Sequence, residues 1–160
     1  MGVLFDYFSA DSDESARGTI DWRAGPGGGQ PKKGLFGKAK SGFPTVDGKG
    51  IEPVVTLGMF EELLTGVSFD DQLADPNSRP ILADRDGGER LVIRLGDTFV
   101  DGLAEANPSH LESLARPWSE IEEFYGAAAP SDLAAFLLDL QRLAKTARTN
   151  GEHVYCWVCV

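Results

Sequence analysis

The chain has few residues of the kinds that build disulfide, redox or metal sites. Its 160 residues include two cysteines and two histidines. Two cysteines are too few for the disulfide framework that holds small secreted proteins together. We therefore expect both thiols to stay reduced, as is usual in the cytoplasm, and we predict no cofactor.

Long apolar runs are also absent from the sequence. A membrane-spanning helix needs about 20 consecutive apolar residues, and the sequence has no such run. Met1 is followed by no basic residue before Val3–Phe5, and Asp6 interrupts that short run, so no signal peptide is expected. We therefore expect a soluble, cytoplasmic protein with no membrane partner.

Basic residues are outnumbered by acidic ones. Fifteen lysines and arginines stand against 25 aspartates and glutamates, which gives a net charge of −10. A surface this negative repels phosphate backbones and attracts cationic proteins. Nucleic acid is therefore excluded as an expected partner, and a basic protein is favoured. The sequence does not specify an oligomeric state.

Glycine is concentrated in one segment, Gly25–Gly50, which holds nine glycines and three prolines. It also holds five lysines and one acid, Asp47, so its net charge is +4 and the rest of the chain carries −14. Such a composition buries little apolar area on ordering, and it predicts a flexible surface loop at 25–50. A phosphate-binding loop is disfavoured, because Gly37-Lys38 is followed by Ala39 where the motif requires Ser or Thr.

The C-terminal stretch has the clearest pattern in the chain. Apolar residues spaced three and four apart predict an amphipathic helix over Ser131–Thr149. They are Leu133, Phe136, Leu137, Leu140, Leu143, Ala144 and Ala147. Ser131 is expected to cap the helix, and Asn150-Gly151 to end it. His153–Cys159 is apolar on both faces and predicts a buried terminal strand.

Shorter patterns complete the predicted fold. Strands are expected at Gly2–Phe8, at Ile81–Ala83 and at Glu89–Leu95, where apolar and polar residues alternate. A helix is expected at Val54–Leu64, with Met59, Phe60, Leu63 and Leu64 on its buried face. A second helix is expected after Asp97, and a third from Asn107-Pro108 to the residue before Pro117. A last short helix is expected after a capping box at Ser119-x-x-Glu122. We therefore predict a single α+β domain over residues 1–160, with several helices packed on a small mixed β-sheet.

Several of these landmarks resemble a known family. They are Met1-Gly2 before an aromatic segment, Leu64-Thr65-Gly66 at a helix end, Ile81-Leu82 after a proline turn, and Gly151-Glu152-His153 before a terminal strand. In order and spacing the chain is similar to the YfbM-like family of small bacterial proteins of unknown function. The resemblance implies an α+β fold and supplies no catalytic residues. The Gly25–Gly50 segment and the pair Cys156/Cys159 depart from the family pattern.

His153, Cys156 and Cys159 form the most suggestive motif, because cysteine and histidine bind zinc and because Cys-x-x-Cys is the spacing of redox pairs. Residues three apart on a strand point to opposite faces, which opposes both chelation and a disulfide. Buried core cysteines are therefore the favoured interpretation. A metal or thiol-redox site at these three residues is kept as an alternative.

The leading functional interpretation is a non-enzymatic interaction module, such as an inhibitor or immunity-type partner of a basic protein. Trp118 is the candidate aromatic anchor, with Arg116, Glu120, Glu123 and His110 around it. Burial of Trp118 in the core is the competing interpretation. A small hydrolase or transferase that uses His110, Arg116 and the Glu120–Glu123 cluster is the alternative function.

Overall fold

A computed structural model describes residues 2–29 and 41–160 of the chain. The strands are β1 (Leu4–Ala10), β2 (Thr45–Asp47), β3 (Ile81–Arg85), β4 (Arg90–Arg94) and β5 (His153–Cys159). The α-helices are α1 (Asp13–Arg17), α2 (Gly25–Gly28), α3 (Thr56–Thr65), α4 (Phe69–Ala74), α5 (Asp97–Glu105), α6 (Pro108–Ser119) and α7 (Pro130–Thr149). Two 3-10 turns span Gly18–Asp21 and Glu122–Phe124. The chain is a single α+β unit, as predicted.

The five strands form one sheet in the order β2-β1-β5-β4-β3. Every neighbouring pair is antiparallel, so the expectation of a mixed sheet was wrong in this detail. The terminal strand β5 is the centre of the sheet, where Cys156 pairs with Tyr7 on one side and with Ile93 on the other. Strand β5 pairs with β1 over all seven residues of each strand.

Both faces of the sheet are covered. Val154, Cys156 and Val158 face the larger core, which they share with the buried side chains of α3, α5, α6 and α7. Tyr155 and Trp157 point into a smaller core on the opposite face. This two-sided burial explains why β5 is apolar at consecutive positions rather than at alternate ones.

The long helix α7 buries the seven apolar residues that its spacing predicted. Its start differs from the prediction, because the helix begins at Pro130 and the N-cap is Ala129, which makes no side-chain cap. Proline suits the first helical position, since its φ angle is already helical and its missing N–H would have no partner there. Ser131 is therefore inside the first turn, and its predicted role as N-cap was wrong.

Five further details differ from the sequence predictions. Helix α6 continues through Pro117 and ends at Ser119, where only two residues follow the proline. The expected capping box is absent, because the Ser119 hydroxyl donates back to the Arg116 carbonyl at 2.6 Å. In α3 the buried leucine is Leu57, whereas Leu63 is exposed. Helix α5 is capped by Gly96 rather than by Asp97, and α4 was not predicted at all.

The predicted flexible loop at 25–50 is described in part. Residues 25–29 hold the single turn α2, and residues 41–50 hold the edge strand β2, which pairs with β1. Residues 30–40, with Lys32, Lys33, Lys38 and Lys40, lie outside the described residues. The flexibility of the loop stays a prediction. Among the helices of the two described ranges, none combines the length and apolarity that crossing a bilayer requires.

Candidate functional site

The acidic cleft is a cavity of about 660 Å³ between α4, the start of α5 and the end of β4. Carboxylates dominate its lining: Asp13, Glu61, Asp71, Asp75 and Asp97. Arg94 is the one cation that lines it among the described residues. The cleft therefore concentrates, in one concave place, the negative charge that the composition showed for the whole chain.

Helix α4 brings Asp71 to the cleft. Ser68 caps the helix by accepting from the Asp71 amide at 3.1 Å, and acids in a first turn are favoured by the helix dipole. The buried side chain of Gln72 holds α4 against α3, because its amide nitrogen donates to the Gly58 carbonyl at 2.9 Å and to the Val67 carbonyl at 3.1 Å. The backbone position of Asp71 is thus fixed from both sides.

The turn after α4 forms the second wall. The Asp75 carboxylate accepts from the Asn77 amide at 2.8 Å, which shapes the turn. The Gly96 amide donates to the Ser78 carbonyl at 2.9 Å and ties the turn to the start of α5. A side chain at Gly96 would begin 3.0 Å from the carbonyl oxygens of Asn77 and Ser78, so the backbone of the turn would have to shift by a few tenths of an ångström to admit it.

Arg94 is the hub of a polar network on the floor of the cleft. Its guanidinium donates to Asp13 at 3.1 Å and to Asp97 at 3.1 Å, and it lies 2.9 Å from His153 Nδ1. The Tyr155 hydroxyl donates to Asp13 at 2.9 Å. Burial would raise the pKa of Asp97, but Arg94 and His153 outweigh it and hold the pKa below its usual range. Two carboxylates therefore share the guanidinium of Arg94, and the imidazole of His153 lies beside them.

A buried ion pair supports the cleft from behind. Arg79 and Glu61 meet at 2.8 Å, with only 7% and 5% of their side chains exposed. Arg79 also donates to the carbonyls of Pro53 and Ser78 at 2.9 and 2.8 Å, and it lies over the Phe99 ring at 5.0 Å. Burial raises the pKa of Glu61, against the pull of Arg79. This pair fixes α3, the turn and α5 relative to one another.

Three polar side chains of the cleft have capacity for a ligand. Asp71 and Asp75 lie near no cation within ion-pair distance in the described part of the chain. The Ser78 hydroxyl is buried and has no hydrogen-bond partner there. Uncompensated carboxylates beside a free hydroxyl favour a cationic group that donates hydrogen bonds, such as an ammonium or a guanidinium.

Trp118 does not form the surface anchor that was considered for it. Its side chain is fully buried, its indole nitrogen donates to the Thr56 carbonyl at 2.9 Å, and its ring contacts Phe60 at a centroid distance of 4.9 Å. A partner cannot reach this indole without opening the core. Trp118 therefore belongs to the fold, which is the competing interpretation given for it above.

The residues of the enzymatic alternative do not converge on one point. His110 lies in the first turn of α6 and Arg116 in its last two turns, and both are exposed. Six residues along a helix correspond to about 9 Å and to about one and two-thirds turns, so the two side chains point about 120° apart around the axis. Glu120 and Glu123 are exposed beyond the end of α6. They remain available to a partner as surface charges.

The three residues of the metal or redox alternative also point apart. Cys156 faces the larger core, Cys159 packs at the edge of the smaller core, and His153 joins the Arg94 network. Both cysteines are free thiols. Within residues 2–29 and 41–160 no group of three or more His, Cys, Asp and Glu side chains is arranged to hold a metal ion. The geometry therefore opposes this alternative.

The two thiols are expected to differ in reactivity. Burial raises the pKa of Cys156 well above its usual value, whereas Cys159 is partly exposed. Ellman's reagent should therefore titrate one thiol quickly in the native protein and both after unfolding. The Cys159→Ser variant should lose the fast phase. A fast phase that persists in this variant would show that Cys156 is accessible and that β5 is not the central strand.

No family model, curated protein or solved structure matches this chain. The resemblance to the YfbM-like family therefore stays a prediction.

The sequence contained a weak signal for the acidic cleft. Ser68 followed by Asp70 and Asp71, and Asp75 followed by Pro76, are cap and turn patterns with acids on exposed positions. They indicate where carboxylates gather along the chain. They do not indicate that α4 lies beside Asp13 and Asp97, because that proximity depends on tertiary contacts.

Proposed function

We propose that the protein is a non-enzymatic interaction module that binds a basic protein, and that the acidic cleft is the main point of contact. The observation that carries this proposal is the charge balance of the cleft. Arg79 neutralises Glu61, and the other four carboxylates of the lining have the single guanidinium of Arg94 among them. An inhibitor or immunity-type role, in which this chain covers a functional surface of its partner, fits such a contact.

The net charge of the chain would speed its encounter with a basic protein, and the acidic cleft would provide the affinity for that protein. The net charge of −14 outside the glycine-rich segment attracts cationic partners from a distance and speeds their association. Inside a partly enclosed site the effective dielectric constant falls, so one pair of opposite charges 4 Å apart gains about 4 kcal/mol before desolvation is subtracted. A lysine or arginine side chain would meet Asp71 and Asp75 there.

The same geometry disfavours proton-transfer chemistry at this site. The Tyr155 hydroxyl is held as a donor to Asp13, and burial together with that hydrogen bond raises its pKa further above the usual value. The Arg94 guanidinium already donates hydrogen bonds to the carboxylates of Asp13 and Asp97. These groups are arranged to hold one another rather than a reacting substrate.

The test begins with the partner that the immobilised protein captures from a lysate of its own cells and that mass spectrometry identifies. We expect the double variant Asp71→Asn/Asp75→Asn to bind the purified partner about tenfold or more weakly. Asparagine keeps the shape of each side chain and can still accept from the Asn77 amide.

The matched control is Glu120→Gln/Glu123→Gln, which removes the same charge at the end of α6. Its affinity should stay within about twofold of the wild type, because Glu120 and Glu123 do not line the acidic cleft. Loss of affinity in the control alone would move the contact to the surface that the sequence suggested. A captured partner that is acidic, or a small molecule that the protein turns over, would contradict the proposed function.

A further inference from the structure

An apolar groove lies directly beside the acidic cleft. It is a cavity of about 270 Å³ whose apolar lining comes from the segment before α3, from α4 and the turn after it, and from the start of β3. The apolar residues in its lining are Val54, Phe69, Leu73, Pro76 and Ile81. Leu73 and Ile81 are 60% and 61% exposed, although leucine and isoleucine are among the residues most often buried.

The groove and the cleft share one wall. Gln72, Asp75 and Ser78 line both cavities, so the turn after α4 separates an apolar pocket from an acidic one. Neighbouring exposed apolar side chains with a polar rim are typical of protein interaction sites. Two adjoining cavities of different chemistry favour a ligand that presents both kinds of side chain.

The negative charge around the groove and the cleft limits which ligands this surface can bind. Asp75 lines both the groove and the cleft, and Asp71 lines the cleft, so these carboxylates would repel an acidic segment. A second copy of this chain, with a net charge of −10, is disfavoured for the same reason. Addition of a strand to the edge of β3 is also disfavoured, because Arg17 covers part of that edge by donating to the Leu82 carbonyl at 3.0 Å.

We propose that the groove and the cleft form one docking surface for a basic amphipathic segment of a protein. An apolar side chain of that segment fills the groove between Leu73 and Ile81. A neighbouring lysine or arginine enters the acidic cleft and meets Asp71 and Asp75. This inference rests on the proposed function, and it adds an apolar anchor and a defined surface to it.

The probe is a synthetic peptide about four helical turns long, with leucine along one face and lysine along the other. Two companion peptides separate the contributions: in one, serine replaces every leucine, and in the other, glutamate replaces every lysine. Fluorescence anisotropy gives each dissociation constant. We expect the leucine–lysine peptide to bind about tenfold or more tightly than the serine peptide, and the glutamate peptide not to bind.

Protein variants locate the site. Leu73→Ser and Ile81→Ser should each weaken the leucine–lysine peptide about tenfold, because each removes apolar contact area from the groove. Both side chains are mostly exposed, so the fold should be kept, and thermal unfolding checks this. The matched control is Tyr125→Ser, since Tyr125 is 93% exposed and does not line either cavity. Its affinity should equal that of the wild type.

Each other outcome has a defined meaning. Equal binding of the leucine–lysine and serine peptides, or unchanged affinity in both groove variants, would overturn the docking surface and leave the proposed function standing. Failure of every peptide to bind would also overturn it, while the captured partner still decides the proposed function. A dimer in sedimentation that Ile81→Ser dissociates would assign the groove to a second copy of the chain instead.

Discussion

Replacement of Arg79 by alanine is expected to lower the free energy of unfolding by about 3–5 kcal/mol. The change leaves the Glu61 carboxylate buried without its cation, and it removes the Arg79 donor from the carbonyls of Pro53 and Ser78, of which Ser78 keeps the Gly96 amide. Urea denaturation at neutral pH measures this loss of unfolding free energy. We expect the deficit to shrink as the pH falls toward the pKa of Glu61, because that pKa is raised in the folded state and protonation removes the unpaired charge.

The control for this prediction is the exposed pair Arg142–Asp139, which meets at 2.6 Å with 74% and 50% of the side chains exposed. Arg142→Ala should change stability by less than about 1 kcal/mol, because solvent screens an exposed pair. If Arg79→Ala were as mild as Arg142→Ala, the Arg79–Glu61 pair would not hold α3 to the wall of the cleft.

Truncation of the α7 stripe is expected to have an effect of similar size. Leu137 and Leu140 are fully buried in the larger core, and each replacement by alanine should cost about 2–5 kcal/mol through lost contacts and the cavity left behind. Leu73→Ala is the matched control, because Leu73 is mostly exposed and its truncation should cost less than about 1 kcal/mol. A loss below about 1 kcal/mol at both buried positions would show that this face of α7 is accessible to water.

The parts of the fold that follow from local pattern could be predicted. The apolar spacing of α7 and the two-sided apolar run of β5 record burial directly, and both elements are found where expected. Element ends were less predictable, because several caps compete within a few residues. Pro130 begins α7 before Ser131 can cap it, and the Ser119 hydroxyl bonds to the preceding turn instead of opening the next one.

The candidate site could not be predicted in the same way. Its network joins Asp13 to Arg94 across 81 positions and to Tyr155 across 142, and no local pattern reports such distances. The burial of Trp118 could not be predicted from the sequence either. The sequence around an aromatic residue with charged neighbours does not show whether its ring is exposed. In this protein the Trp118 ring packs against Phe60 in the core.

The proposed binding of a basic protein requires that the contact in the acidic cleft be electrostatic. The decisive measurement is the affinity of the captured partner as salt rises from about 0.1 M, where charges are screened over about 10 Å, to about 1 M, where they are screened over about 3 Å. We predict that the wild type loses affinity steeply over this range and that Asp71→Asn/Asp75→Asn loses less, because it has fewer charges to screen. An affinity that stays the same at every salt concentration in both proteins would contradict the account.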